Sequence, residues 1–566
     1  MRIVLSIAGA GAKVEAARWT LAQLLEAEGL SVGEQPDGEA PFLHLAYGPE
    51  PARSPEGIPA VSIPALRSDL FEGATPEAPI EIAGRAGDVF LAFPPLVDLP
   101  PGEPLARDPH GRAAACRPAG RPHEVRFGFD LVAPAYFVLS RVEERGGPTD
   151  DLGRFPPESS WSVRRGLLGE PVADRLGRLL FAAIAEALRG ARRATVRVHP
   201  WPEGRSFAIA LTHDEDLVIR WERRLARHAR QALAGGGGGR GAGARLLLRD
   251  LREGRIPPTI FSRRMADWES ERGVRSTWFF LATPRDRFAR RYRVDSPPFR
   301  KFLHLLIDRG FAVGLHGGLD SYLSAARLLE ERNLVSASAG RPVAGVRQHY
   351  ARLRVPETWD AQREAGLRYD ASLGFPDAPG FRAGTSFPIR PEGAGDFLVF
   401  PLHGMDRALA AAGIRSGEAW NGWSAPARRA GGLLDILWHP HFVDTDLDPE
   451  REAAFLDLLS WIEGRKGEAW TATLDEMAEW WNARRLAAVS GVRAGERTVV
   501  RVRFGSAIRS ARLRPVPPGS DIRLESAAGA RVEVAAGPDG HLSIEEAAAG
   551  ADIVLSLLPP GPREPR

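Results

Sequence analysis

The sequence predicts an α/β fold with a parallel (β/α) barrel at its centre, and three observations lead there. Between residues 200 and 485, short apolar runs alternate with amphipathic helical stretches seven or eight times. Charged residues collect just after several of those runs, where barrels gather their chemistry. On either side the pattern changes: a small α/β arrangement fills residues 1–195, and apolar–polar alternation between Gly and Pro turns fills residues 490–566.

In the first part, strands are expected at residues 3–7, 42–46 and 89–93, with helical stretches at 16–28 and 172–188. Phe129–Glu144 has helical periodicity with an acidic end, and 151–157 behaves as a Pro-terminated loop. Gly9-Ala-Gly-Ala-Lys13 lacks the third glycine and the Gly-Lys-Ser/Thr ending, so it is not taken as a phosphate loop. In the centre, strands are expected at 207–212, 276–282, 312–316, 345–348, 369–373, 397–402, 434–439 and 469–473. Helices at 298–309, 322–332, 356–365 and 449–463 separate them. A Gly-rich insertion near 234–245 follows the basic helical segment 221–233 and reads as a flexible loop. The six short alternating segments after residue 490 read as a small antiparallel β-sandwich, a structural cap rather than a glycan-binding accessory module.

Composition narrows the function classes. At 566 residues the chain exceeds what one core organises, and about three or four domains are expected. Lys+Arg of 75 against Asp+Glu of 72 gives a net charge of +3, with the arginines spread along the chain, so nucleic acid is not an expected partner. The lone cysteine, Cys116, excludes an intrachain disulfide and a thiolate cluster, so any metal must be held by His and carboxylate. The first apolar run is soon interrupted by Lys and Glu and reads as a strand rather than a signal peptide. With no run of about 18 apolar residues, no membrane span is expected, and the expected location is cytoplasmic.

Four strand ends carry the chemistry. In Leu211-Thr212-His213-Asp214-Glu215-Asp216, strand alternation sends Asp214 and Asp216 to one side. Two carboxylates that close call for a divalent cation or a shared proton. In Val313-Gly-Leu-His316-Gly-Gly-Leu-Asp320, His316 and Asp320 would share one face of a first helical turn and clasp a metal together. In Gly345-Val-Arg347-Gln-His349, alternation puts Arg347 and His349 on one side, where Arg347 can pair with Asp214 and keep it ionised. Leu437-Trp-His439-Pro-His441 offers His439 to protonate a leaving group.

In that order, with Tyr369-Asp370-Ala-Ser-Leu between the last two, these motifs resemble those of the polysaccharide deacetylases, the NodB-homology or carbohydrate esterase family 4 group, in a divergent Asp-x-Asp form. The resemblance covers about half the chain. The segments Phe129–Glu144 and Gly153-Arg-Phe-Pro resemble an uncharacterised domain found ahead of bacterial deacetylases. The resemblance implies a distorted (β/α)7 barrel and a metal-dependent hydrolase that removes N- or O-acetyl groups from a glycan, acting on C–N (non-peptide) or ester bonds. It implies a divalent cofactor, zinc foremost, with Asp214 as general base, Asp216 and His316 as ligands, Arg347 orienting the base and His439 as general acid. Where the family has a second His four residues after the first, this chain has Asp320, so either Asp320 or His349 is expected to complete the metal site. Phe381-Arg382-Ala-Gly384 and Met405-Asp406 are expected to line the cleft. Two other readings stay open: a non-catalytic carbohydrate-binding barrel, and a metal-dependent hydrolase of a non-glycan amide.

Overall fold

A computed structural model describes residues 3–30, 42–49, 57–84, 88–216, 221–234, 237–253, 259–282, 292–443, 449–535 and 540–561. The fold is mixed α/β around a curled parallel sheet. From one edge, its strands run Leu398–Val399, Tyr369–Asp370, Gly345–Gln348, Ala312–Gly317, Thr277–Leu281, Phe207–Glu215, Leu433–Leu437 and Gly404–Met405, and Ala469–Thr471 also pairs with Phe207–Glu215. Every ladder in it is parallel. The two edge strands are successive pieces of one stretch. Phe400 N–H donates to the Asp370 carbonyl on one side and His403 N–H to the Asp435 carbonyl on the other, so the curl brings both edges to the same segment.

The period-2 pattern of Phe207–Glu215 shows how the sheet is layered. Phe207, Ile209 and Leu211 pack into the core beneath the surrounding helices, while Ala208 and Ala210 face the inner core. The inner face carries small residues because large ones cross it: at Gly345, an added Cβ would fall 2.0 Å from the Tyr369 ring. Tyr369 is fully buried there and donates its hydroxyl to Asp475 at 2.7 Å.

Before this sheet stands an eight-stranded mixed sheet, Ile3–Ile7 through Glu124–Phe127, covered by the helices Ala12–Ala27 and Val172–Gly190. After it stands a six-stranded antiparallel sheet. The short segments expected there merge into long strands, Asp521–Ala535 and His541–Leu558, and Thr195–Val198 from ahead of the central sheet pairs with Ile508–Val516. One continuous apolar core joins both flanking sheets to the inner face of the central one. Among the described residues, no helix is long and apolar enough to cross a membrane.

The Gly-rich insertion departs from expectation. Residues 235–236 lie outside the described residues, but Gly237–Glu253 is helical and lies along Trp221–Ala234. Glycine disfavours a helix by about 1 kcal/mol each relative to alanine, so propensity argued for a loop. Tertiary contact decides otherwise: a Cβ at Gly243 would meet the Ala232 nitrogen at 2.4 Å, so the small residue permits the close approach.

A buried ion cluster ties the first part of the chain to the central one. Glu144, at the end of the acidic helical segment, accepts from Arg382 Nε at 2.9 Å and Nη2 at 2.7 Å, and from Arg141 Nε at 2.8 Å. All three side chains are within 2 % of full burial. Burial opposes the Glu144 charge, but Arg382 and Arg141 outweigh it and hold its pKa below the ordinary value. Glu144→Leu leaves the buried Arg382 guanidinium without its carboxylate and Arg141 with Glu143 alone, and is expected to cost about 3–5 kcal/mol in chemical denaturation. Because the folded pKa is depressed, the stability Glu144 contributes is present above its unfolded pKa and is lost as the pH falls through the folded one. The parent should therefore lose more stability than the variant on acidification below about pH 4.5.

Candidate metal centre and acid–base site

The alternation that sorts the apolar residues of Phe207–Glu215 continues through its polar end. His213 and Glu215 fall on the outer face. His213 Nε2 meets Glu269 Oε1 at 2.8 Å and Nδ1 meets the Trp438 carbonyl at 2.6 Å, while Glu215 accepts from Ser262 Oγ at 2.5 Å. Burial, with Asp216 adding to it, pushes Glu215 up to about 8. Asp214 and Asp216 take the inner face, which is where the other functional side chains converge.

Arg347 lies fully buried under this end of the sheet. Its Nη1 donates to Thr212 Oγ1 at 2.7 Å and to Asp214 Oδ1 at 3.4 Å, its Nη2 to Asp435 Oδ2 at 2.8 Å, and its Nε to the Ala371 carbonyl at 2.8 Å. Thr212 Oγ1 donates in turn to Asp435 Oδ1 at 2.9 Å. The guanidinium is thus fixed on four sides, with Asp214 as the one partner that also faces the metal-ligand cluster. Burial pushes Asp435 up to about 6 against the pull of Arg347 and Thr212.

Beside Asp214 lies a cluster suited to a cation. His316 Nδ1 is 2.8 Å from the Arg347 carbonyl, which can only accept, so Nδ1 carries hydrogen and Nε2 presents its lone pair forward. That lone pair faces Asp216 Oδ1 at 2.9 Å, and neither buried atom has another hydrogen-bond partner. His349 Nε2 stands 3.7 Å from the same oxygen. Ligand atoms of Asp216, His316 and His349 all lie within 4.8 Å of one another. Two acceptors pressed together call for a positive charge between them, either a proton or a metal ion. Burial disfavours a charged His316, but Asp214, Asp216 and the Arg347 carbonyl prevail and raise its pKa. A set of two imidazoles and one carboxylate, with one imidazole donating its other nitrogen to a backbone carbonyl, fits a zinc-type centre.

His439 closes the group. Asp406 Oδ2 accepts from its backbone N–H at 2.6 Å and from its ring Nδ1–H at 2.8 Å, which leaves Nε2 aimed at Asp216 Oδ2, 3.5 Å away. Burial opposes an imidazolium, but Asp406 first and then Asp216 and Asp214 push His439 up to about 10.

Asp320 is not brought to this cluster. Its carboxylate is 76 % exposed and sits 3.5 Å from Arg352. The expected clasp needs a helical turn starting at His316, whereas the strand runs on to Gly317, a turn follows, and the helix begins only at Ala325. The third candidate ligand, the second nitrogen, comes instead from the next strand end. His349 leads into a turn with Tyr350 at φ 62° and Ala351 at φ 52°, a left-handed conformation that non-glycine residues hold only when the surroundings enforce it. Arg154, from the loop expected at 151–157, donates to the Tyr350 carbonyl at 3.4 Å. Arg352 donates to the Leu319 carbonyl at 2.7 Å and lies over the Tyr322 ring.

Of the residues singled out from sequence, Asp214, Asp216, His316, Arg347, His349 and His439 come together. From sequence Asp406 is expected only to line the cleft, and Asp435 carries no expected role. Asp435 had a visible signal: a lone carboxylate inside Leu433-Leu-Asp-Ile-Leu437, where burial without a cationic partner would be costly.

Comparison with known proteins adds the following. Residues 45–189 match the model of a family of unknown function, DUF7033. No curated protein matches the chain. Polysaccharide deacetylases are among the solved structures to which it is similar. One is a candidate polysaccharide deacetylase of Mycobacterium smegmatis, with 17% identity and a TM-score of 0.32, over 52% of this chain and 96% of that one. Another is a peptidoglycan deacetylase of Bacillus subtilis, with 14% identity and a TM-score of 0.27, over 49% and 93%. A third is a family 4 acetyl xylan esterase of Clostridium thermocellum, solved with a cobalt ion, with 13% identity and a TM-score of 0.24, over 48% and 89%.

Proposed function

We propose that this protein is a metal-dependent hydrolase that removes N- or O-acetyl groups from a glycan or glycan precursor. On this reading the central region, residues 200–485, is a distorted (β/α)7 barrel between a small α/β domain and a small β domain. The observation that carries the reading is the meeting of Asp216 Oδ1 and His316 Nε2 at 2.9 Å, without other hydrogen-bond partners among the described residues, between Asp214 on one side and His439 on the other. A cleft that only bound sugar would need neither a buried carboxylate held by arginine nor an imidazole held by aspartate. The acetyl specificity comes from the motif resemblance.

Asp216, His316 and His349 would hold the cation, zinc being the ion this donor set favours; when bound, it supplies Lewis acidity that polarises an acyl carbonyl and acidifies water. Asp214 accepts the proton of the attacking water. Arg347, itself fixed by Asp435 and Thr212, orients Asp214 for that transfer. His439 has its Nδ1–H fixed by Asp406, so its Nε2 is the nitrogen that hands a proton to the departing sugar amine or alcohol.

The test is acetate release from acetylated chito-oligosaccharides and acetylated xylan, before chelation, after it, and after zinc or cobalt is restored. Release that disappears with the metal and returns with it is expected. A protein that takes up no divalent metal would overturn the metallohydrolase reading, and stoichiometric metal without acetate from either glycan would overturn the substrate class.

A further inference from the structure

A cavity of about 400 Å³ lies away from the site just described, where three parts of the chain meet. Its walls come from the helix Ala12–Ala27, the strands Thr195–Val198 and Ala487–Ala494, the loop 390–395 and the end of the helix Leu474–Arg485. Trp19, Leu30, Val196, Val198 and Val489 make most of the wall apolar. The charged groups on it are Glu26, Arg390, Arg484 and Arg485.

Those charges do not cancel. The Glu26 carboxylate is engaged by Arg390, whose Nε and Nη2 approach it at 3.1–3.3 Å. Arg485 is paired with Asp396 at 2.6 Å. Arg484 is left over. It is 4 % exposed, and among the described residues no carboxylate lies within 4 Å of its guanidinium. Its Nη2 donates to the Glu26 carbonyl at 2.5 Å and its Nη1 reaches the Val198 carbonyl at 3.5 Å, while the plane lies 4.0 Å over the Trp481 ring. Its Nε is buried and has no partner at all. Two carbonyls and an aromatic face suffice for a guanidinium in contact with water. A cation nine-tenths buried on a cavity wall, with no carboxylate within 4 Å among the described residues, is incompletely compensated. Burial lowers its pKa to about 10; the Glu26 and Glu28 carboxylates pull it upward, and Arg390 and Arg197 add to the fall.

We propose that this cavity binds a small organic anion, a carboxylate or phosphate on an apolar body, with its charge seated on Arg484. A guanidinium edge suits either oxyanion, and the apolar wall makes the body contribute alongside the charge. Because the walls belong to both flanking parts and to the central one, occupancy ties the three together and raises the melting temperature.

The experiment is calorimetric titration of the full chain with phenyl phosphate and with benzoate. Inorganic phosphate serves as the charge alone and benzyl alcohol as the body alone. One equivalent of phenyl phosphate or benzoate is expected to bind at least about tenfold more tightly than either control, and which of the two saturates first tells phosphate from carboxylate. Arg484→Met should weaken that binding at least about tenfold. Ala22→Trp, which leaves Arg484 in place and fills the cavity from its helix wall, should do the same and decides the matter if Arg484→Met does not fold. No saturable binding of either organic anion, or binding undiminished in the folded variants, overturns the proposal.

Discussion

The Asp216→Asn protein is expected to retain no stoichiometric zinc and to release acetate at least about a thousandfold more slowly than its parent. The substitution keeps shape and removes the one charge that Asp216 brings between His316 and His349. Loss of a Lewis acid removes several kcal/mol of transition-state stabilisation, and each 1.4 kcal/mol is tenfold in rate. Elemental analysis and acetate release, measured on the same preparation, check both halves. Asp320→Ala is the companion measurement. Its carboxylate is 76 % exposed and, among the described residues, pairs with Arg352 alone, so metal content and rate should stay within about twofold of the parent. Metal loss in Asp320→Ala with retention in Asp216→Asn would reverse the ligand assignment.

His439→Ala is expected to slow release from N-acetylated sugar by about 10²- to 10⁴-fold with metal content unchanged. A merely structural histidine would harm all substrates alike. A proton donor matters in proportion to how poor the leaving group is, so 4-nitrophenyl acetate, whose phenolate departs without a proton, should be hydrolysed by the variant at a rate much nearer the parent's. Asp406→Asn tests the support for that donor. The amide still has an oxygen for the backbone N–H but holds the ring Nδ1–H less firmly, so the fall should be in the same direction and smaller. Equal losses on both substrates in His439→Ala would remove the general acid from the mechanism.

What the sequence by itself determined about this protein is what repeats locally. Alternation along residues 207–216 separates Asp214 and Asp216 from His213 and Glu215, because successive side chains of a strand must face opposite ways whatever surrounds them. The same rule puts Arg347 on the inner face, and the single cysteine limits a metal to nitrogen and oxygen ligands. Strands over 312–316, 345–348 and 434–439 were legible for the same reason, and the structure has them at Ala312–Gly317, Gly345–Gln348 and Leu433–Leu437.

Only the tertiary structure decided the rest, because it depends on where the chain goes after each strand. Asp320 and His349 were equally available in the sequence. The chain turns away after Gly317, and it passes through a left-handed turn after Gln348 that a loop from the N-terminal part steadies through Arg154. Asp406 reaches His439 across 33 residues from the start of a helix, and Asp435 reaches Arg347 across 88 residues and across the interior of the curled sheet, from a strand that is not its neighbour. The Gly-rich helix, against its own propensity, exists through close packing on its neighbour. Local periodicity sets which face a side chain takes, while convergence of faces is set by packing between elements distant in sequence, and here that packing brought His349 rather than Asp320 beside Asp216 and His316.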